Sequence, residues 1–228
     1  MLLYLVRHGQ SAGSIPGSHG SPNPDLSEVG KAQAEATGRA LLGVPVQAIL
    51  CSPLTRALQT AHIMAKHVEA TVEAWPELAE SDPTAWRLPK KKREGHFTAG
   101  WGHGVGLTAN QTVRDFPGTK AVGFFGDEHW WVDLWSEGRG RTYRRGRKAI
   151  RRLCKRWADA EGAVVLVTHG SFGSVLLSAL TESARTDYMR FGQHTCGISL
   201  VELTSKGTRL RYLNRVDHLP PELRTDLT

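Results

Sequence analysis

Cysteine is scarce in this chain: Cys51, Cys154 and Cys196 are the only three in 228 residues. No two form a C-x-x-C pair and the number is odd, which argues against a disulfide framework and a cysteine zinc site. Long hydrophobic runs are missing too, since no stretch approaches the ~18 apolar residues of a membrane helix. The opening Met1-Leu2-Leu3-Tyr4-Leu5-Val6 meets Arg7 and His8 at once, too soon for the apolar segment of a secretion signal. A cytoplasmic protein with no membrane partner is the expectation. There is no internal repeat and no compositional break that reads as a linker, so 1–228 is expected to form a single domain. Acid is the minority charge: 22 Asp and Glu stand against 29 Lys and Arg, a formal net charge of +7. That balance favours anionic partners, whether phosphorylated small molecules, nucleic acid or acidic membrane, without choosing among them.

What is present reads as alternating strand and helix. Residues 2–6, 46–50 and 163–167 are short apolar runs ending in polar loops, as suits strands covered on both faces. Residues 198–203 and 210–213 read as a further, closing pair. Ser27 is a plausible N-cap for a helix carrying Val29, Ala32, Ala36 and Ala40. Leu54, Ala57, Leu58, Ala61, Met64, Ala65 and Val68 recur at three-and-four spacing, as do Tyr143, Gly146, Ile150, Leu153 and Trp157. A fourth helix is expected from Ser171 through Val175, Leu176 and Leu177 to Leu180. The fold class implied is α/β: a three-layer α/β/α sandwich with a mostly parallel central sheet. Residues 82–136 fit this rhythm poorly. They hold many Gly and Pro residues, Trp86, Trp101, Trp130, Trp131, Trp135 and the basic run Lys90-Lys91-Lys92-Arg93, and read as an irregular lid or specificity excursion.

In open α/β sheets ligands bind at the carboxyl ends of the strands. Arg7, His8 and Gly9 follow the first predicted strand, Ser52 and Arg56 the second, and His169 and Gly170 the 163–167 strand. Two arginines and two histidines converging on one spot would be costly to bury without a counter-ion, and an anion is the natural complement. Phosphate suits the planar guanidinium fork, and a helix starting at Gly170 or Ser171 adds backbone N–H donors. A histidine held neutral by neighbouring arginine charge is a nucleophile at neutral pH.

At these residues the chain resembles the histidine phosphatase superfamily, which includes the cofactor-dependent phosphoglycerate mutases. Leu5-Val6-Arg7-His8-Gly9-Gln10-Ser11 resembles its signature. Asp25-Leu26-Ser27-Glu28-Val29-Gly30-Lys31-Ala32-Gln33-Ala34 and Cys51-Ser52-Pro53-Leu54-Thr55-Arg56-Ala57-Leu58-Gln59-Thr60-Ala61 resemble two further segments. Leu78-Ala79-Glu80 and Val167-Thr168-His169-Gly170 resemble the acid and second-histidine motifs, and all five occur in family order.

The resemblance implies that His8 attacks phosphorus and becomes a phosphohistidine. It implies that Arg7, Arg56 and His169 clamp the phosphoryl oxygens, with Gly170 and Ser14 as further phosphate-binding candidates. Glu80 is implied as the proton donor, with Glu77 as a rival three residues earlier. No metal and no cofactor are expected, because arginines supply the positive charge. The expected function is hydrolysis of a small phosphorylated metabolite, the partner being that substrate. A phosphoglycerate mutase-type phosphotransferase is the alternative, and a catalytically weak binding protein using its basic surface is the alternative from another class. Three departures stand out. Gln10 replaces a frequent Glu, Ser14 replaces a frequent Asn, and Ser81-Asp82-Pro83-Thr84-Ala85-Trp86 replaces the mutases' glycine-containing segment, which weighs against a mutase.

Residues 139–156 hold ten Lys or Arg and no acid. This run is either the solvated face of an amphipathic helix or a docking surface for an acidic partner or nucleic acid. No nucleic-acid motif accompanies it and aromatics do not interleave it as a stacking platform needs, so nucleic acid is not the expected partner.

Overall fold

The computed structural model describes residues 1–15, 21, 23–81, 106–124, 137–157, 161–183, 190–204 and 207–225. In it seven strands form one sheet: β1 (Leu2–Arg7), β2 (Val46–Cys51), β3 (Thr71–Ala74), β4 (Lys120–Ala121), β5 (Ala163–Thr168), β6 (Ile198–Thr204) and β7 (Gly207–Arg215), in the order β4-β3-β2-β5-β1-β6-β7. Pairings from β4 across to β1 are parallel, and β6 and β7 close one edge antiparallel. The helices are α1 (Glu28–Ala40), α2 (Thr55–Ala65), α3 (Ala109–Asp115), α4 (Arg139–Trp157) and α5 (Gly170–Leu180).

Strand alternation sorts the core into two layers. Leu3, Leu5, Leu50, Val164 and Leu166 meet Leu153 and Trp157 of α4 and Phe172, Val175 and Leu176 of α5. Their neighbours Tyr4, Val6, Ile49, Val165 and Val167 meet Ala57, Leu58, Ala61 and Met64 of α2, on which α1 packs. Apolar side chains on both faces explain why β1, β2 and β5 read as unbroken hydrophobic runs. Each such Leu, Ile or Val contributes about 1.5–3 kcal/mol by leaving water. Among the described residues no helix is long and apolar enough to cross a membrane.

Part of the stretch read as irregular is regular. Residues 109–115 form α3, opened by a capping box in which Thr108 Oγ1 accepts from Gln111 N and Gln111 Oε1 accepts from Thr108 N. Residues 120–121 add β4 to the sheet edge beside β3. The remainder of the expected lid, 82–105 and 125–136, with Lys90-Lys91-Lys92-Arg93 and the five tryptophans, lies outside the described residues.

The segments that resembled family motifs interlock around the β1 loop. Ser27 caps α1, its Oγ accepting from Gly30 N at 3.0 Å and donating to Gln10 Oε1 at 2.6 Å. Gln33 Oε1 accepts from Gln10 N at 2.8 Å. Gln10 is therefore engaged in seating α1. Main chain meets main chain here: a Cβ on Gly9 would lie 2.4 Å from Gly30 O, and one on Gly30 would lie 2.0 Å from Gln10 O. Only glycine permits that approach. The start of α2 is capped from a distance, since Asn23 Oδ1 accepts from Thr55 N at 2.9 Å. Gln59 on the next turn accepts from Leu26 N at 2.7 Å.

Candidate active site

The parallel register aligns the strand ends that matter. Arg7 lies opposite Thr168, and Cys51 opposite Val167. The residues just beyond them, His8, His169 and Ser52, are thereby brought to one edge of the sheet. The backbone ties them down: His8 N donates to Thr168 O at 2.9 Å, and Ser52 N to Val167 O at 3.1 Å. Arg56 arrives from the first turn of α2.

His8 and His169 pack edge to face, ring centroids 5.0 Å apart and planes at 63°. Both are buried. His8 Nδ1 lies 2.7 Å from the Gly9 carbonyl, and Arg56 Nε lies 3.1 Å from His8 Nε2. A carbonyl only accepts and a guanidinium only donates. The proton therefore sits on Nδ1, and the Nε2 lone pair points at Arg56. Arg7 Nη1 donates to the Gln193 carbonyl at 2.7 Å, which fixes the second guanidinium. Neither ring nitrogen of His169 nor Nη1 of Arg56 finds a hydrogen-bond partner among the described residues. Donors of this kind gathered beside two guanidinium groups suit an anion.

Electrostatics agree with the geometry. Burial, then the Arg56 and Arg7 charges, hold His8 well below the usual histidine range, against the opposing pull of the Gly9 carbonyl. Burial, then Arg56, His8, Arg7 and Arg145, do the same to His169. Burial lowers Arg56 to about 10, against the raising influence of Glu80, and it lowers Arg7 as well. Both imidazoles are thus neutral at pH 7.

This carries a cost for stability in acid. Below the ordinary histidine value of 6.5 the unfolded chain binds two protons that the folded site refuses. Stability therefore rises with pH through that region and falls as pH drops below it. The slope is about 1.4 kcal/mol per pH unit for each histidine. Urea unfolding of the wild type between pH 6 and pH 5 is expected to show this dependence, and His8→Asn is expected to remove one proton's share of it.

Glu80 approaches from the far side of β5. One of its carboxylate oxygens, Oε1, accepts from Ser81 N at 2.8 Å and from Phe172 N, in the first turn of α5, at 2.9 Å. It is the acid whose charge acts on both Arg7 and Arg56. Glu77 faces elsewhere, bonded to Arg152 Nη1 at 2.9 Å on α4. Gly170 opens α5 against Arg7, where a Cβ would sit 3.5 Å from Nε. Ser14 is exposed at the end of a 3-10 turn, its hydroxyl 3.0 Å from that of Ser11.

The basic run divides. Its outward members Arg144, Arg147, Lys148, Arg151 and Lys155 are exposed. Arg145, Arg152 and Arg156 turn inward to Glu137, Glu77 and Glu73 and stack on Phe172, Trp75 and Trp157. Gln193, Phe172 and Glu137 escaped sequence reasoning because two of them contribute backbone groups and the third acts through Arg145.

Fold and site together define an α/β protein with paired histidines and arginines at the carboxyl edge of a parallel sheet. The chain belongs to the histidine phosphatase superfamily (branch 1), whose family model matches residues 3–216. It is 29% identical over 186 residues to the glucosyl-3-phosphoglycerate phosphatase of Mycobacterium tuberculosis, covering 78% of this chain and 74% of that protein. It is 33% identical over 132 residues to an uncharacterized protein of the same organism, and that match spans 62% of the latter's length. Over 90 residues it is 34% identical to the adenosylcobalamin/alpha-ribazole phosphatase of Escherichia coli, 39% of this chain and 44% of that one. Among solved structures, the phosphoserine phosphatase of Entamoeba histolytica shares the fold with a TM-score of 0.64 at 22% identity, over 96% of this chain and 99% of that one. The mycobacterial glucosyl-3-phosphoglycerate phosphatase complexed with VO3 shares it with a TM-score of 0.65 at 23% identity, over 94% and 99%.

Proposed function

We propose that this protein is a metal-independent phosphomonoester hydrolase that works through a phosphohistidine on His8. One observation carries the reading: the His8 ring is buried, its proton is held on Nδ1 by the Gly9 carbonyl, and its Nε2 lone pair faces the arginine cluster. A neutral imidazole so oriented is a nucleophile awaiting an electrophile that carries negative charge.

Nε2 of His8 forms a bond to phosphorus while the ester P–O bond breaks. Glu80 enters this step protonated on Oε2, the oxygen not held by Ser81 N and Phe172 N, and gives that proton to the departing oxygen. Arg7, Arg56 and His169 donate to the phosphoryl oxygens, whose charge must be stabilised in a transition state with little other help. Arg56 moves its N–H from the His8 lone pair to a phosphoryl oxygen as that lone pair turns to phosphorus. Water then attacks phosphorus, Glu80 takes its proton, the P–N bond breaks, and inorganic phosphate leaves. The arginines supply the positive charge, so the sequence of steps calls for no metal. A small phosphorylated metabolite is the substrate class, in keeping with the phosphatases among the relatives.

The test is release of inorganic phosphate from sugar phosphates, phosphoglycerates, nucleotides and phosphopeptides, with and without EDTA. Expected is one phosphate per dephosphorylated product, at rates that EDTA leaves unchanged. Transfer of the phosphoryl group to a second hydroxyl, or loss of activity in EDTA, contradicts the reading.

A further inference from the structure

Arg145 is a buried arginine on the inner face of α4, and all three nitrogens of its guanidinium have acceptors within reach. Its Nε donates to both carboxylate oxygens of Glu137, at 3.1 and 3.0 Å, in an ion pair largely shut off from water. Nη1 donates to Glu77 O at 2.9 Å and Ala79 O at 2.8 Å, and Nη2 makes a long contact of 3.5 Å with Glu80 O. Carbonyls of three residues in one four-residue turn converge on a single planar cation. The face of that cation lies 3.9 Å from the centre of the Phe172 ring. The backbone N–H of Phe172 is the group that holds the Glu80 carboxylate. Arg145 thus bears on Glu80 in two ways: it holds the turn carrying Glu80 through the Glu77 and Ala79 carbonyls, and it stacks on the ring of the residue whose N–H anchors the Glu80 side chain.

We propose that Arg145 is a positioning residue for proton donation by Glu80, with Glu137 fixing Arg145 in turn. The proposal rests on the reading of Glu80 as the acid. A guanidinium is suited to the task because it is rigid and planar and can serve several acceptors at once. Lysine, a point charge on a flexible stem, cannot satisfy three carbonyls and a carboxylate from one position. The consequence is specific. Loosening the turn harms the step that needs the proton, whereas a general loss of structure harms all turnover alike.

The experiment compares kcat/KM for two monoesters, p-nitrophenyl phosphate, whose leaving group needs little protonation, and glycerol 2-phosphate, whose alkoxide needs it fully. Wild type, Glu80→Gln, Arg145→Gln, Arg145→Lys and Glu137→Gln are measured. Glu80→Gln is expected to lose about 10²–10³-fold on the alkyl ester and under about tenfold on the aryl ester. Arg145→Gln is expected to repeat the pattern at smaller scale, its loss on the alkyl ester at least about tenfold beyond that on the aryl ester. Arg145→Lys should not restore the balance, and Glu137→Gln should shift it in the same direction. Should Arg145→Gln fail to fold, the selectivity of Glu137→Gln and Arg145→Lys decides. Equal losses on both esters in Glu80→Gln overturn the acid assignment itself. A selective loss in Glu80→Gln with equal losses in the Arg145 and Glu137 variants overturns only the positioning role.

Discussion

If the proposed chemistry holds, His8→Ala should lower turnover of any phosphomonoester the protein hydrolyses by roughly 10⁴-fold or more, the scale of loss when a covalent nucleophile is removed. The substitution deletes a buried ring packed against His169 and with it the cost of holding that ring neutral, so the folded protein should survive it, which thermal unfolding checks. Arg7, Arg56 and His169 remain, and with them a site for the phosphoryl group. The variant should therefore still bind phosphate while failing to cleave esters. That separation of binding from chemistry distinguishes a lost nucleophile from a collapsed pocket, and it is read by calorimetric titration with phosphate beside the rate assay. The binding-protein alternative makes the opposite forecast, with nothing changed by the loss of His8.

The second large effect belongs to Arg56. Arg56→Ala should cost about 10²–10³-fold in kcat/KM, or ~3–4 kcal/mol of transition-state stabilisation, by comparison with deleted oxyanion donors. It should also move the pH profile, in a direction the electrostatics fix. After burial, Arg56 is the largest influence lowering the affinity of His8 for protons. Without that charge His8 gains a proton at higher pH, and the acid-side limb of kcat/KM shifts upward. Arg56→Lys should restore part of the pH profile, since the charge returns, and much less of the rate, since the directed Nε–H does not. A variant with wild-type rate would remove Arg56 from the site.

The parts of the molecule that the sequence made legible are those where one physical cause dominates. β1, β2 and β5 are buried on both faces, so hydrophobicity alone marks them. Helices α2 and α4 bury one stripe and betray themselves by spacing. The face expected of α1 is displaced: Gly30, Gln33, Ala34, Thr37 and Gly38 are buried there, whereas Ala40 is exposed. Helix α5 is buried without a break from Phe172 to Ser178, so its core position and not a stripe makes it apolar. The histidines and arginines follow from those strand ends, because a polar residue just past an apolar run in a parallel sheet has one place to go. What escaped has mixed causes. β3 carries a buried carboxyl residue, Glu73, which is accommodated there because Arg156 from α4 and the Trp75 indole N–H both donate to it. β4 has two residues, and α3 leaves Val113 exposed, so neither shows a period; the Thr108–Gln111 capping box was its one readable sign. The resemblance favoured Glu80 over Glu77 as the acid, while spacing alone gave no physical reason for the choice. The distinction lies in which side of a short turn each faces, and Arg145 and Arg152, some seventy residues away in the chain, hold that turn. The basic run looked like a surface, and half of its meaning lay inward.

Acid quench is the wrong tool for the decisive measurement, because a phosphorus–nitrogen bond is labile to acid. The enzyme should instead be mixed with excess substrate, denatured in alkali within the first turnover, digested and examined by mass spectrometry. The account predicts a phosphoryl group on the imidazole of His8, formed no more slowly than turnover and absent from His169. Turnover at full rate with no phosphoryl group on His8, or with one carried on another residue, would contradict it.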